Sequence, residues 1–358
     1  MIVRRLVSMV VLAGVVVGLA SCAQLGQSTG SDPLGIQHTY IYTAIGASDA
    51  VGFGSTVPCP TAPVVIGPDT EQMPSPVNCP GGKGYIPSIA SRLTSSTGAV
   101  VLTDLGISGA VAGPTERTLG NTYEPLLFGN CASSGPDVCI PGDFIDDELP
   151  LIPGNQDLVT IFAGGNDTEA IVAHVAVACA ECTQQQIQMM IGADVTNFAN
   201  DYLTLIGAIH KSLPFARIYV ANLPNFALIP SGVCIGSDPG SPPPFCGPND
   251  PALGQPGLQQ LLGVVSTAID ANVINLFASN GIPVVDLECN PESYDPKNFY
   301  VDGFHPDDQG YSTFALLYTL MIENFGGPPP AGNCQFSSST MHGGLGTLHH
   351  GKLRHLRY

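Results

Sequence analysis

The chain has 358 residues, 44% of them apolar and 11% charged, with 42 Gly and 32 Pro. That apolar share over that length can bury a substantial core, and the Gly and Pro content predicts long punctuated loops rather than disorder throughout. Net charge is −18, and five of the 11 basic residues (Arg4, Arg5, Lys352, Arg354 and Arg357) sit at the two ends, leaving about −23 on the body between them. So acidic a body repels phosphate backbones, which excludes nucleic acid as a partner and disfavours polyanionic substrates.

The first element is an export signal over residues 1–21. Arg4 and Arg5 precede an almost wholly apolar run from Leu6 to Ala20, followed by Ser21 and Cys22. That run is shorter than the about 20 residues needed to cross a hydrocarbon core, which weighs against a permanent anchor. Leu19-Ala20-Ser21-Cys22 is similar to a bacterial lipobox. The similarity implies that Cys22 is lipidated as the first residue of a cell-envelope lipoprotein, held on the membrane through a small, polar tether over residues 22–37. An ordinary signal cut near Ala23, giving an extracellular protein, is the alternative. No later stretch reads as long and apolar enough to span a bilayer.

A regular alternation follows within one domain, residues 38–334. Strand-like runs cover 40–45, 99–105, 157–163, 216–222 and 282–287, and helical spacing covers 84–93, 182–213, 257–280 and 308–325. Apolar β-rich runs alternating with helices predict an α/β fold: a three-layer α/β/α sandwich around a central, mostly parallel five-stranded sheet of flavodoxin-like type. Three long loops, 53–83, 110–156 and 226–256, hold Cys59, Cys79, Cys131, Cys139, Cys234 and Cys246. With Cys22 set aside, ten cysteines remain, and an even set in an exported chain reads as disulfides. Order along the chain suggests 59–79, 131–139, 179–182, 234–246 and 289–334, without fixing the connectivity. Cys179 and Cys182 could instead hook a zinc ion, but no second close pair of ligands accompanies them. Residues 335–358, with His342, His349, His350 and His355, read as a disordered tail, a metal-catching tag being the sharper alternative.

The chemistry lies in the turn after each strand, because this architecture puts its crevice at the carboxyl edge of the sheet. The first strand leads into Gly46-Ala47-Ser48-Asp49-Ala50-Val51-Gly52, the second into Ile107-Ser108-Gly109, and the third into Gly164-Gly165-Asn166-Asp167; Asp302-Gly303-Phe304-His305-Pro306 precedes the last helix. Each block alone is an ordinary turn. In order, they supply a hydroxyl, N–H donors, an amide donor and an Asp/His pair. A serine hydroxyl needs a base within hydrogen-bond reach to act as nucleophile, and imidazole titrates near neutrality. Among the histidines outside the tail (His38, His174, His210 and His305), only His305 has an Asp three residues earlier and a Pro directly after it.

These blocks resemble those of the SGNH (GDSL-type) hydrolases over most of residues 38–326. The resemblance implies a serine hydrolase acting on carboxylic esters, as an esterase or lipase. It makes Ser48 the nucleophile, His305 the base and Asp302 its orienting acid. Ser48 N–H, Gly109 N–H and the Asn166 amide would form the oxyanion hole, with no metal and no cofactor. One departure is Gly46-Ala47-Ser48 in place of Gly-Asp-Ser, with Asp49 on the far side of the serine. The implied substrate is an ester of a lipid, an acylated sugar or a polyester. The alternatives are an O-deacetylase of surface carbohydrates and a non-catalytic binding lipoprotein on the same fold. Leu126, Leu127, Phe128, Phe226, Leu228 and Phe245, from two of the long loops, are expected to overhang the crevice as an acyl-accommodating wall.

Overall fold

The computed structural model describes residues 39–59, 79, 81–128, 139–179, 181–230, 256–331 and 334. The readings of the export signal, Cys22, the tether, the His-rich tail, Cys131, Cys234 and Cys246 fall outside these residues.

Five strands form one sheet: β1 (Thr39–Gly46), β2 (Ala99–Asp104), β3 (Leu158–Phe162), β4 (Arg217–Ala221) and β5 (Val284–Val285). Their order is β2-β1-β3-β4-β5, and every pairing is parallel. A parallel sheet covered on both faces demands continuous apolar runs, and β3, Leu-Val-Thr-Ile-Phe, is buried at every position. β5 is shorter than the expected 282–287. Pro283 has no N–H for the ladder, although its carbonyl still accepts from Val220 N at 3.1 Å.

The helices are α1 (Ser48–Val51), α2 (Tyr85–Thr97), α3 (Pro114–Phe128), α4 (Gly165–Ala178), α5 (Gln184–Ser212), α6 (Pro256–Ile269), α7 (Asn275–Ser279) and α8 (Asp308–Glu323). From β1 the chain moves one way to β2 and the other way to β3, β4 and β5. Right-handed crossovers therefore put α2 on one face and α3 to α6 on the other. α8 joins α2: Tyr85 stacks on Tyr318 with centroids 5.6 Å apart, and Tyr318 Oη donates to the Ile161 carbonyl at 3.0 Å. The three-layer sandwich follows, and its direction of winding reverses between β1 and β3.

Four expectations need correction. The segment 110–156 is not a single loop, since it contains α3 and a π-turn, Phe144–Glu148. Its Thr, Gly120 and Pro125 obscured the helical pattern. A helix unforeseen in sequence, α4, follows β3; it is apolar on nearly every side, which leaves no polar stripe to reveal its period. The predicted 257–280 helix is interrupted by a π-turn, Asp270–Ile274, between α6 and α7. Within this stretch Gln260–Ser279 is, by length and composition, apolar enough to cross a membrane, contrary to the sequence reading. Over half of its most apolar window is buried inside the fold, as expected of a core helix.

Disulfides join Cys59 to Cys79, Cys179 to Cys182 and Cys289 to Cys334. Cys179 and Cys182 are thereby unavailable as zinc thiolates. Cys139 is also disulfide-bonded.

The interior is rich in carboxyls. Asp104, Glu116, Glu124, Glu148, Asp167 and Asp270 are all buried. Burial disfavours the charged form, pushing Asp104 and Asp167 up to about 7, Glu124 to about 8 and Glu116 to about 10, with neighbouring acids adding to the last two. In the unfolded chain these groups ionise near their ordinary values, so the folded state binds more protons. The stability they contribute is complete below about pH 4 and is lost as pH rises through the folded values. The melting temperature should therefore be higher at pH 5 than at pH 8, by more than about 3 °C. Thermal melts followed by circular dichroism check this; a flat or opposite trend would contradict it.

Candidate active site

β1 ends at Gly46, and the chain turns at once into α1 with Ser48 as its first residue. The turn is crowded. A Cβ at Gly46 would lie 2.9 Å from Ala50 Cβ and 3.3 Å from the Phe162 carbonyl, so only glycine fits against β3. Gly46 N–H donates to Glu148 Oε2 at 3.1 Å, which ties the end of β1 to the π-turn. α1 closes on Gly52 in a left-handed conformation (φ +74°). The serine is thus held at the carboxyl edge of the sheet, where the winding reverses, as expected of this architecture.

Asp302 and His305 come from the loop before α8. An isolated bridge between Phe299 and Pro306 closes this loop, with Tyr300 N–H donating to the His305 carbonyl at 2.8 Å. Asp302 Oδ1 accepts the N–H groups of Phe304 (2.8 Å) and His305 (3.0 Å), and Oδ2 lies 2.8 Å from His305 Nδ1. His305 Nε2 lies 2.9 Å from Ser48 Oγ. The structure therefore brings together the three residues singled out in the sequence, with the imidazole between carboxylate and hydroxyl. The carboxylate fixes the tautomer: with Nδ1–H donated to Asp302, Nε2 is free to accept the serine proton.

Electrostatics follow the geometry. Burial pushes the Asp302 carboxyl up, but its bond to His305, the charge of that residue and the two loop N–H groups outweigh burial and hold it below the usual carboxylate range. Burial lowers His305, but the bond to Asp302 and the charges of Asp49 and Asp302 outweigh it, leaving the imidazole more basic than an ordinary one. Aromatic rings frame it. Phe53 packs on the imidazole with centroids 4.6 Å apart, Phe304 sits edge-on at 5.1 Å, and Phe226 backs Phe304 at 5.3 Å.

Asn166, in the first turn of α4, has its Nδ2 anchored to the Ala110 carbonyl at 2.7 Å, leaving the second amide hydrogen for another acceptor. Both residues line a small cleft with Ala47, Ser48, Gly164 and Phe304. Gly109, with φ +85°, occupies a conformation open chiefly to glycine and turns the chain into Ala110. Asp167 is buried beneath this turn and accepts Ala112 N–H at 2.8 Å, so it supports the loop that Asn166 grips.

Among the described residues, the cleft lining contains none of the six side chains expected to form the acyl wall. Leu126 is exposed on α3, Leu127 is buried in the core, and the side chains of Phe128 and Phe245 fall outside the described residues. Leu228 is half-buried outside this lining, and Phe226 meets the site through Phe304. The cleft wall is instead Phe162 and Phe304, drawn from the strand end and the histidine loop. Sequence reasoning also missed Glu148, Phe53 and Tyr311. A close grouping of Glu288 with Cys289 and Cys334 could suit a metal by residue type, but its two sulfurs are joined to each other.

No curated protein sequence matches the chain. Among solved structures it is similar to an extracellular lipase from Streptomyces rimosus, at 15% identity over 80% of this chain and 99% of that one, with a TM-score of 0.44. It is also similar to a phospholipase A1 from Streptomyces albidoflavus (14%, 80% and 99%, TM-score 0.43) and a family 3 carbohydrate esterase from Clostridium thermocellum (15%, 80% and 97%, TM-score 0.38). A GDSL-like lipase/acylhydrolase model matches residues 44–312, a span that opens within β1, closes within α8 and contains all four sequence blocks, from the Ser48 turn to the Asp302–His305 loop, and the chain belongs to that family.

Proposed function

We propose that the chain is an exported serine esterase that hydrolyses carboxylic esters through Ser48, His305 and Asp302. The observation that carries this reading is the continuous hydrogen-bonded path Asp302–His305–Ser48, with contacts of 2.8 and 2.9 Å between groups up to 257 residues apart in sequence. In the first half-reaction Ser48 Oγ attacks the ester carbonyl carbon as His305 Nε2 takes its proton. Negative charge develops on the carbonyl oxygen and is met by the N–H groups of Ser48 and Gly109 and the free amide hydrogen of Asn166. The tetrahedral intermediate collapses, the C–O bond to the alcohol breaks, and the imidazolium returns the proton to that alcohol. Water then repeats the sequence on the acyl-enzyme, releasing the acid. Asp302 stays ionised throughout and stabilises the imidazolium.

Export is supported by the N-terminal signal and by the disulfides, which persist in oxidising compartments. Lipidation at Cys22 would place the enzyme on a membrane surface in the cell envelope. A mature chain beginning at Cys22, with a catalytic domain over 38–334 and a short His-rich tail, is the organisation this reading implies.

The cleft favours a short acyl group. Phe162, Ala163 and Phe304 stand close beside Ser48 and leave little depth there, which suits an acetyl group. This supports the O-deacetylase form of the reading over a long-chain lipase.

Three outcomes are expected with p-nitrophenyl esters. Ser48→Ala should lose at least about 10³-fold in kcat with the fold intact by circular dichroism, and equal turnover by variant and wild type would end the serine mechanism. Asn166→Ala should cost about 10²–10³ in kcat with little change in KM. Across a chain-length series kcat/KM should fall from acetyl to hexanoyl, and a rise would show that the acyl chain lies elsewhere.

A further inference from the structure

Behind the imidazole lies a carboxyl that the proposed ester hydrolysis does not use. Asp49 follows Ser48 in α1, and its Oδ1 lies 3.3 Å from the hydroxyl oxygen of Tyr311 on α8. The same hydroxyl lies 2.6 Å from the Phe53 carbonyl, and the Phe53 ring packs on His305. A phenol has one proton. A carbonyl can only accept, and the shorter contact is the stronger, so the phenol proton belongs to the Phe53 bond. The contact with Asp49 is then completed by a proton on the carboxyl, donated to the phenol oxygen. Without that proton, two lone-pair-bearing oxygens face each other in a part-buried site.

We infer that Asp49 is a positioning residue, a second carboxyl behind the proposed base whose protonation, favoured through the Tyr311 oxygen, sets the basicity of His305. The inference rests on the esterase reading. In its protonated form Asp49 leaves the imidazole to Asp302 alone. When it releases its proton to solvent, a negative charge appears beside His305 and stabilises the imidazolium. Burial raises Asp49 above the ordinary carboxylate range, against the pull of His305 and of a donated Tyr311 proton; with that proton given to the Phe53 carbonyl, the second pull is absent. The other titratable groups facing it are Asp302 on the histidine loop, Tyr85 on α2, and Tyr311 and Tyr318 on α8. The three tyrosines stay neutral across the working range because burial pushes each well above its usual value, so the charges that change are those of Asp49 and His305. Two groups that influence each other in this way titrate as a pair.

The test is the pH profile of kcat/KM for p-nitrophenyl acetate in the full mature chain. Asp49→Asn removes the charge that sustains the imidazolium, so the acid-side midpoint should fall by about 0.5–1 pH unit with KM nearly unchanged. Tyr311→Phe removes the acceptor that holds the carboxyl proton; Asp49 then ionises more readily, and the midpoint should rise. A purely structural role predicts no such opposition. Midpoints that move together, or that stay within about 0.2 units of wild type, overturn the inference. Should neither variant fold, the wild-type imidazole resonances of His305, assigned against His305→Asn, decide: two inflections are expected, and one overturns it. Ser48→Ala run in parallel separates this failure from that of the esterase reading, because only the latter predicts its loss of turnover.

Discussion

The hydrogen bond between His305 Nε2 and Ser48 Oγ joins residues 257 positions apart, and the rest of the site makes sense as the means of holding it. Ser48 is fixed by β1, a central strand paired on both sides. His305 is fixed by α8, which reaches the sheet from the opposite end of the sequence. Two ties join these supports directly: Thr56 donates through its N–H and its hydroxyl to the two Asp308 oxygens at 2.7 Å each, and Tyr311 donates to the Phe53 carbonyl at 2.6 Å. Both link the segment after the serine to the first turns of α8. Relative movement of the two supports is thereby restrained on both sides of the imidazole, and reacting groups misplaced by about 1 Å can lose two orders of magnitude in rate.

A second constraint is the scarcity of cations, 11 against 29 acidic residues. Buried or half-buried acids are therefore met mostly by backbone N–H groups. Asp157 accepts from Ile41, Asp167 from Ala112, Asp201 from Thr115 and Asp270 from Leu223, each at 2.8–3.0 Å. Each of these bonds links segments far apart in sequence, and three of the four accept from the segments that follow β2 or β4. The carboxyls thus supply the acceptors that loops at a sheet edge need when they leave the ladder. Arg117, between Asp143 and Asp147, is an exception with a cation. At Asp167 and Asp270 burial outweighs these bonds and favours the neutral carboxyl, so this part of the interior depends on protons.

Much of this was legible in the sequence because particular residues leave little choice. Gly46 and Gly52 bracket a turn that only small residues allow, and Asp302 three positions before His305 lets a short loop close on itself. The strands could be read because burial on both faces makes them continuously apolar. The same burial hid α4, whose Ile171, Val172 and Val175 form no stripe with a polar side opposite, and threonines with a mid-helix proline hid α3. Glu148 and Tyr311 were invisible for a different reason. Each acts on a partner about 100 or more residues away, and nothing near it in sequence reports the contact. Leu126 and Leu127 show the same limit: adjacent apolar residues do not reveal which of them is buried and which is exposed.

The two carboxyls that act on His305 show how one residue type takes two states within one site. Asp302 receives two backbone N–H groups and an imidazole, all donors, so its environment favours the anion. Asp49 lies half-buried against a phenol already committed to a carbonyl, so its environment favours the acid. Neither outcome depends on sequence position, since both residues act on the same histidine. It depends on the count of donors and acceptors each oxygen meets. Environments that push paired acids apart in this way divide labour at a proton-transfer site: one keeps the imidazole oriented at every pH, and the other determines how readily it takes a proton.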